Sequence, residues 1–393
     1  MKVLSLGNQP ICNKFLEDRA SFSDERLYPL DLFFCRNCTL VQLGSVPPSE
    51  VTFGKGYNYL TGATAEAVRY FHDMALKLAD RFSLGSGDYV LDIGSNDGTF
   101  LKGFHGTGVK VVGVEPSPYP SALARREGIS TVQKRLEDSV DEILAQTRGQ
   151  LRLITAFNVI AHTDTIHQFL DVVSHLMERN DCIFVSQSHY LPRLIEACAY
   201  DTIYHEHARY YTIGSLGYLL RRHGLTMFDA EESLYYGGSI IAYASNRDVP
   251  ETKELASLKA SELSFRDLRL YPEFALRVEE NKRKLRKLLF HLRSNGKRIA
   301  GIGAPMKSST LLNYCGIDSN LVDYLTEVNP LKVGSYSPGT HIKVLSEEVL
   351  FKDAPEVALI LSWNVADGII ERLRRKGYRG QFVIPIPEPR VID

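Results

Sequence analysis

The run Asp201-Thr-Ile-Tyr204-His205-Glu206-His207 packs a phenol, two imidazoles and two carboxyls into one short segment. Side chains of these types hold or move protons, histidine above all near neutral pH. Their spacing restricts what they can do together. On a helix His205 and His207 would stand about 200° apart, and their two-residue interval is not the four that a zinc-protease helix uses. An extended or irregular segment would put the histidines on one face and Tyr204 and Glu206 on the other. A polar surface loop, or a histidine pair satisfied by backbone groups, explains the same residues equally well.

A second constellation lies upstream. Val90-Leu-Asp92-Ile-Gly94-Ser-Asn96-Asp97-Gly98-Thr-Phe-Leu101 reads as a strand, a tight glycine turn and a helix start. Such a turn holds either a dinucleotide or S-adenosylmethionine (SAM), and charge separates the two. A pyrophosphate needs backbone N–H groups with no carboxylate nearby. Here Asp92 and Asp97 flank the turn, and Asn96 and Thr99 stand where a dinucleotide motif has glycines. The carboxylates suit the ammonium and sulfonium of SAM. Glu115 ends the next strand, 23 residues after Asp92, where an acid can accept ribose hydroxyls. Asn158 follows the fourth strand, where methyltransferases of this shape present a polar side chain. The candidate cofactor set is therefore Asp92, Gly94, Asn96, Asp97, Gly98, Glu115 and Asn158. A packing turn without ligand is the bland alternative.

The elements that must position these groups follow from the apolar pattern. The chain has 393 residues, enough for two or three domains. Residues 1–62 are short apolar pieces broken by Pro10, Pro29, Pro47 and Pro48, which predicts a small loop-rich module. Over 63–247, runs at Tyr89–Asp92, Val109–Val114, Ser130–Val132, Leu151–Thr155 and Cys182–Val185 alternate with amphipathic helices. That alternation predicts a parallel, doubly wound Rossmann-like sheet. Over 248–393 a helix carrying Leu285, Leu288, Leu289 and Leu292 precedes a second alternation. Its expected strands are Arg298–Gly303, Leu321–Tyr324, Val357–Leu361 and Gln381–Pro385. The fold class is α/β, two doubly wound domains behind a small N-terminal module.

Composition excludes several functions. Lys+Arg 46 against Asp+Glu 47 leaves a net charge of -1, so no global field recruits nucleic acid or an acidic membrane. The basic run from Lys282 to Lys287 reads as the solvated face of a helix. No apolar run approaches the ~20 residues of a membrane span, and no signal-peptide pattern opens the chain. A cytoplasmic enzyme, monomeric or weakly oligomeric, is the expectation. Six scattered cysteines make no disulfide framework.

With these motifs in hand, the chain resembles the SAM-dependent sugar C-methyltransferases that act on nucleotide-linked 4-keto-6-deoxysugars. The likeness runs along nearly the whole sequence. Leu6–Pro10, Asn13–Leu16 and Pro29–Leu43, with Cys35-Arg-Asn-Cys38 inside, look like that family's N-terminal zinc module. Tyr57-Asn-Tyr59-Leu-Thr61 looks like its tyrosine motif. Asn158-Val-Ile-Ala-His162 and Asp201–His207 look like its catalytic motifs. Gly301–Lys307, Thr310–Asp318, Asn329–Gly334, Pro338–Ile342, Trp363-Asn364 and Pro385–Arg390 resemble its C-terminal domain.

The resemblance implies His207 as the base that removes the C3 proton, with Glu206 and Tyr204 orienting it or binding the sugar. His162, with Tyr57 or Tyr59, is implied as partner of the keto or hydroxyl oxygen, and His205 as the outward bystander. Lys307, Asn313, His341 and Arg390 are implied substrate contacts. The partner is a nucleotide sugar, dTDP-linked as the first expectation. Two departures stand out. The family module carries two C-x-x-C pairs, and this chain holds only Cys35 and Cys38. A structural zinc takes four ligands, so either residues are missing from the chain or the module folds without metal. Gln187 stands where many relatives have Glu. A sugar O-methyltransferase on the same scaffold, or a non-catalytic sugar-nucleotide-binding protein, are the competing readings.

Overall fold

The structure, a computed structural model, describes residues 1–53 and 59–393. The N-terminal module is a sheet rather than a set of loops. Strands β1 (Lys2–Gln9), β2 (Tyr28–Phe34) and β3 (Val41–Leu43) pair antiparallel. Leu30, Leu32 and Phe34 alternate inward along β2, the two-residue period of a strand with one buried face. Prolines suggested loops here, yet Pro29 sits at the start of its strand, where a missing N–H is tolerated. The inner face packs on the helix Leu270–Ser294: Phe34 and Tyr271 have ring centroids 4.7 Å apart. Module and C-terminal domain thus share one hydrophobic core.

The central domain follows the expected alternation with one correction. Its strands β4 (Tyr89–Ile93), β5 (Lys110–Val114), β6 (Thr131–Val132), β7 (Leu151–Phe157) and β8 (Ile183–His189) run parallel. The short β9 (Arg209–Tyr210) leaves this sheet and pairs with β3 of the module. Two further strands, β10 (Thr226–Ser233) and β11 (Ser239–Ser245), form an antiparallel hairpin against β8. The order is β10-β11-β8-β7-β4-β5-β6, so the sheet is mixed. Asp229, Glu231 and Glu232 break the apolar run that would have announced β10. Separate apolar clusters cover the two faces.

In the C-terminal domain β12 (Ile299–Ile302), β13 (Tyr324–Glu327), β14 (Val344–Ser346), β15 (Val357–Ile360) and β16 (Gln381–Ile384) are parallel. Strand β17 (Arg390–Ile392) closes the edge antiparallel. Strand β13 starts three residues later than the apolar pattern indicated, because Leu321 and Val322 are buried in the turn before it. In each sheet a strand has neighbours reached by opposite crossovers: β4 lies between β5 and β7, and β12 between β13 and β15. Such switch points open crevices at the carboxyl ends of strands. Among the described residues, no helix is long and apolar enough to cross a membrane.

Candidate active site

Residues following the carboxyl ends of both sheets line one cavity of about 1110 Å³. The central domain contributes Asp92–Asn96 after β4, Glu115–Pro120 after β5, Phe157–Val159 and His162 after β7, and His189 at the end of β8. The C-terminal domain contributes Pro305–Lys307 after β12, Lys332 after β13, and Ser362, Asn364 and Val365 after β15. That volume lies just above the range for one drug-sized ligand.

The glycine turn is built for a bare backbone. Gly94 has φ +70°, and a Cβ there would stand 2.5 Å from Val159 Cγ2. Asp92 is buried, accepts a 2.7 Å hydrogen bond from Thr155 Oγ1, and burial pushes its carboxyl up to about 7. Glu115 is also raised by burial, against hydrogen bonds donated by the N–H groups of Ser117 (2.7 Å) and Asn96 (3.0 Å). Asn158 Oδ1 is buried without a hydrogen-bond partner among the described residues. Two buried carboxyls and one unpaired amide oxygen match the amino, hydroxyl and sulfonium groups of SAM, so the residues present fit that cofactor.

Other members of the turn work from outside the cavity wall. Asp97 accepts from the N–H groups of Thr99 (3.2 Å) and Gly62 (2.9 Å), and Gly98 supplies a left-handed cap at φ +75°. Neither lines the cavity. Asn96 lines it and also anchors the residues above, accepting from Thr61 N–H (2.9 Å) and donating to the Tyr59 carbonyl (3.2 Å). Tyr59 is in the lining; Tyr57 lies outside the described residues.

The dense segment is a junction at which neighbouring side chains part company. Asp201 Oδ2 accepts from Trp363 Nε1 of the C-terminal domain at 2.6 Å. His205 is not outward: it is buried, donating from Nε2 to the Pro29 carbonyl at 3.3 Å beside Tyr28. Glu206 accepts from Cys12 Sγ at 3.5 Å, is pushed up to about 7 by burial, and does not line the cavity. Thr202, Tyr204 and His207 line the cavity, the rings of the last two with centroids 3.9 Å apart. The expected division into faces is therefore replaced, since the segment turns through 3-10 geometry and bends instead of running extended. Glu206 does not orient His207. The Thr202 carbonyl does so, 2.7 Å from Nδ1; because a carbonyl only accepts, Nδ1 carries the proton and Nε2 is the basic nitrogen.

Two more imidazoles surround His207. His162 meets it edge to face at 4.8 Å, and His189 lies 4.1 Å away at a 46° tilt. Burial pushes His162 down to about 3 and His189 to about 4; His207 is driven well below the usual range by burial and by both neighbours. All three are neutral at pH 7. His189 was not foreseen; its one sequence signal is its place at the end of a parallel strand. Lys307 donates to Asn364 Oδ1, lies 4.5 Å over the Trp363 ring and has its ammonium lowered by burial. Lys332, inside a recognised motif but given no role from sequence, donates to the Ala304 carbonyl at 2.9 Å.

The remaining expected substrate contacts lie away from the lining. Asn313 donates to the carbonyls of Ser309 (2.8 Å) and Pro338 (3.0 Å). His341 pairs with Glu25 at 2.8 Å and stacks on Phe22, fastening the N-terminal module to the C-terminal domain. Arg390 is exposed on the edge strand. Gln187 is buried behind the wall and donates to Tyr70 Oη at 2.9 Å. Cys35 and Cys38 sit half-buried between β2 and β3. Among the described residues no group of three or more His, Cys, Asp or Glu could hold a metal, so two thiols alone do not make the four-ligand zinc site.

Three family models match in order: a "Putative zinc binding domain" over residues 1–53, a methyltransferase domain over 67–230 and a C-methyltransferase C-terminal domain over 234–387. The C-methyltransferase NovU of Streptomyces niveus is 34% identical over 398 residues, covering 100% of this chain and 94% of that protein. Among solved structures, the magnesium protoporphyrin IX methyltransferase ChlM of Synechocystis PCC 6803 with bound SAM is 16% identical. It covers 45% of this chain and 78% of its own, with TM-score 0.34. The CcbJ methyltransferase of Streptomyces caelestis is 13% identical over 44% of this chain and 88% of its own, also with TM-score 0.34. Matched along its full length by that relative and by all three models in order, the chain belongs to the SAM-dependent C-methyltransferase family.

Proposed function

We propose that the protein methylates C3 of a nucleotide-linked 4-keto-6-deoxysugar, dTDP-linked in the first instance, through an enolate formed by His207. One observation carries this reading: a single cavity joins an acidic end at Asp92 and Glu115 to an end lined by three imidazoles, Tyr204 and two lysines. An acidic end suits a cationic methyl donor. A basic end suits a substrate that becomes an anion and carries a diphosphate.

The chain's own groups then act as follows. His207 Nε2 takes the C3 proton; the C–H electron pair enters the C3–C4 bond and negative charge moves to the C4 oxygen. Burial keeps His207 in the neutral form a base requires, at the cost of lower basicity. The imidazolium formed lies beside the new anion, and the ammonium groups of Lys307 and Lys332 favour that anion across the low-dielectric cavity. Tyr204, its ring 3.9 Å from that of His207 at a 35° tilt, fixes the ring plane, and His162 meets a substrate oxygen. When bound, SAM supplies an electrophilic methyl group whose sulfur leaves with the bonding pair. Glu206 acts indirectly, tying the segment to the N-terminal module through Cys12.

The test is incubation in deuterated water with a dTDP-linked 4-keto-6-deoxyhexose and the demethylated cofactor. Deuterium should enter at C3 in the wild type and fail to do so in His207→Ala. Entry at C5 instead would move the chemistry to the other side of the ketone. An enzyme that transfers methyl without any exchange would sink the enolate route.

A further inference from the structure

Enolate formation needs a second group that His207 cannot supply, a donor at the oxygen where charge collects. Lys307 is already committed to Asn364 and the Trp363 ring. His162 meets His207 edge to face at 4.8 Å, its buried Nε2 also unpartnered among the described residues, and is the group already set against a substrate oxygen. His189 lies nearer to His207. Its ring centroid lies 4.1 Å from that of His207 with the planes tilted by 46°, and both rings line the cavity. Its Nδ1 is buried and has no hydrogen-bond partner among the described residues. With no partner fixing the proton on Nδ1, the neutral ring can carry it on Nε2, and the ring lines the cavity.

We propose that His189 is a second catalytic residue, whose imidazole N–H donates to the ketone oxygen of the substrate while His207 removes the adjacent C–H proton. The inference rests on the enolate reading above. A carbonyl oxygen and an α-hydrogen sit on neighbouring carbons, and two adjacent imidazoles lining one cavity can address both at once. The step is balanced: one proton passes from carbon to His207 Nε2, and the His189 proton stays on nitrogen while its hydrogen bond shortens. Neutrality matters to the outcome. Burial and the nearby Lys307 hold His189 at about 4, so it is not an imidazolium at working pH. An imidazolium would hand its proton to the oxygen and leave an enol, a poorer carbon nucleophile. A neutral donor leaves the charge in place, as in other enzymes that polarise a carbonyl with neutral histidine.

The experiment compares His189→Phe, which keeps a ring without a donor, with His189→Gln, which keeps an N–H donor that cannot ionise. Each is assayed for α-hydrogen exchange and for methyl transfer with a dTDP-linked 4-keto-6-deoxyhexose. A thermal shift with the demethylated cofactor confirms that each variant is folded. Loss of one such donor predicts a fall of about 10²–10³-fold in exchange and in kcat for the Phe variant, with KM little changed. The Gln variant should recover to within about tenfold of the wild type. Wild-type exchange in His189→Phe, with His207→Ala inactive, would overturn the role of His189 and leave the enolate reading standing. Equal losses in the Phe and Gln variants would overturn it as well. Absence of exchange in a wild type that transfers methyl overturns both.

Discussion

The two ends of the cavity bury opposite kinds of group under one rule. At the acidic end burial raises Asp92 to about 7 and raises Glu115. At the basic end it lowers His162 to about 3, His189 to about 4, and His207, Lys307 and Lys332 in the same direction. Desolvation penalises whichever form is charged, so both ends move toward neutrality when no ligand is present. A cation beside Asp92, or an anion beside the imidazoles, restores the lost charge. On the proposed function, the cavity keeps methyl donor and anionic substrate apart by the sign of the charge each end can recover.

The largest effect that tests this division is His207→Ala. Methyl transfer should fall by about 10²–10⁴-fold, the usual range for a general base, while the thermal shift produced by the demethylated cofactor persists. Loss of that shift as well would show that the ends are not independent. Next is Asp92→Asn, which should weaken SAM binding by about tenfold and yet stabilise the empty protein. The folded carboxyl titrates near 7, above its unfolded value near 3.8. Its ionisation thus costs stability increasingly from about pH 4 to 7, and the gain in melting temperature should be larger at pH 8 than at pH 5. A gain of equal size at both pH values would refute the burial account.

At the basic end the sign reverses. His162 and His189 titrate lower folded than unfolded, so their burial as neutral rings is fully favourable above about pH 6.5 and is lost as pH falls toward 4. His162→Phe should flatten the acid limb of the stability curve in that window, measured by urea titration at several pH values. The smallest effect belongs to residues outside the cavity: Arg390→Ala should leave kcat/KM within about twofold, and a tenfold loss would extend the substrate site to the edge strand.

How far the site could be read in the sequence varies by residue. The turn from Asp92 to Gly98 and the carboxyl at Glu115 were legible because strand, turn and acid recur at short, regular spacing. Strand β10 was hidden by its acidic residues and β9 by its two-residue length, while β11, apolar from Ile240 to Ala244, was missed with its hairpin partner. Glu206 was grouped with His207 because adjacency in sequence suggests shared work. In the fold the backbone bends, so consecutive side chains enter the N-terminal module, the C-terminal domain and the cavity. His189 and Lys332 carried little signal, since a lone histidine or lysine has no pattern of its own.

Residue order alone determined the α/β alternation, the SAM-type turn and the family, because hydrophobic period, turn chemistry and motif spacing are local properties. Tertiary structure alone decided which members of the Asp201–His207 cluster meet the cavity, that His189 joins them, and that all three imidazoles are neutral. Those depend on burial and on distances between segments far apart in the chain, and desolvation acts through whatever surrounds a group, not through its neighbours in sequence.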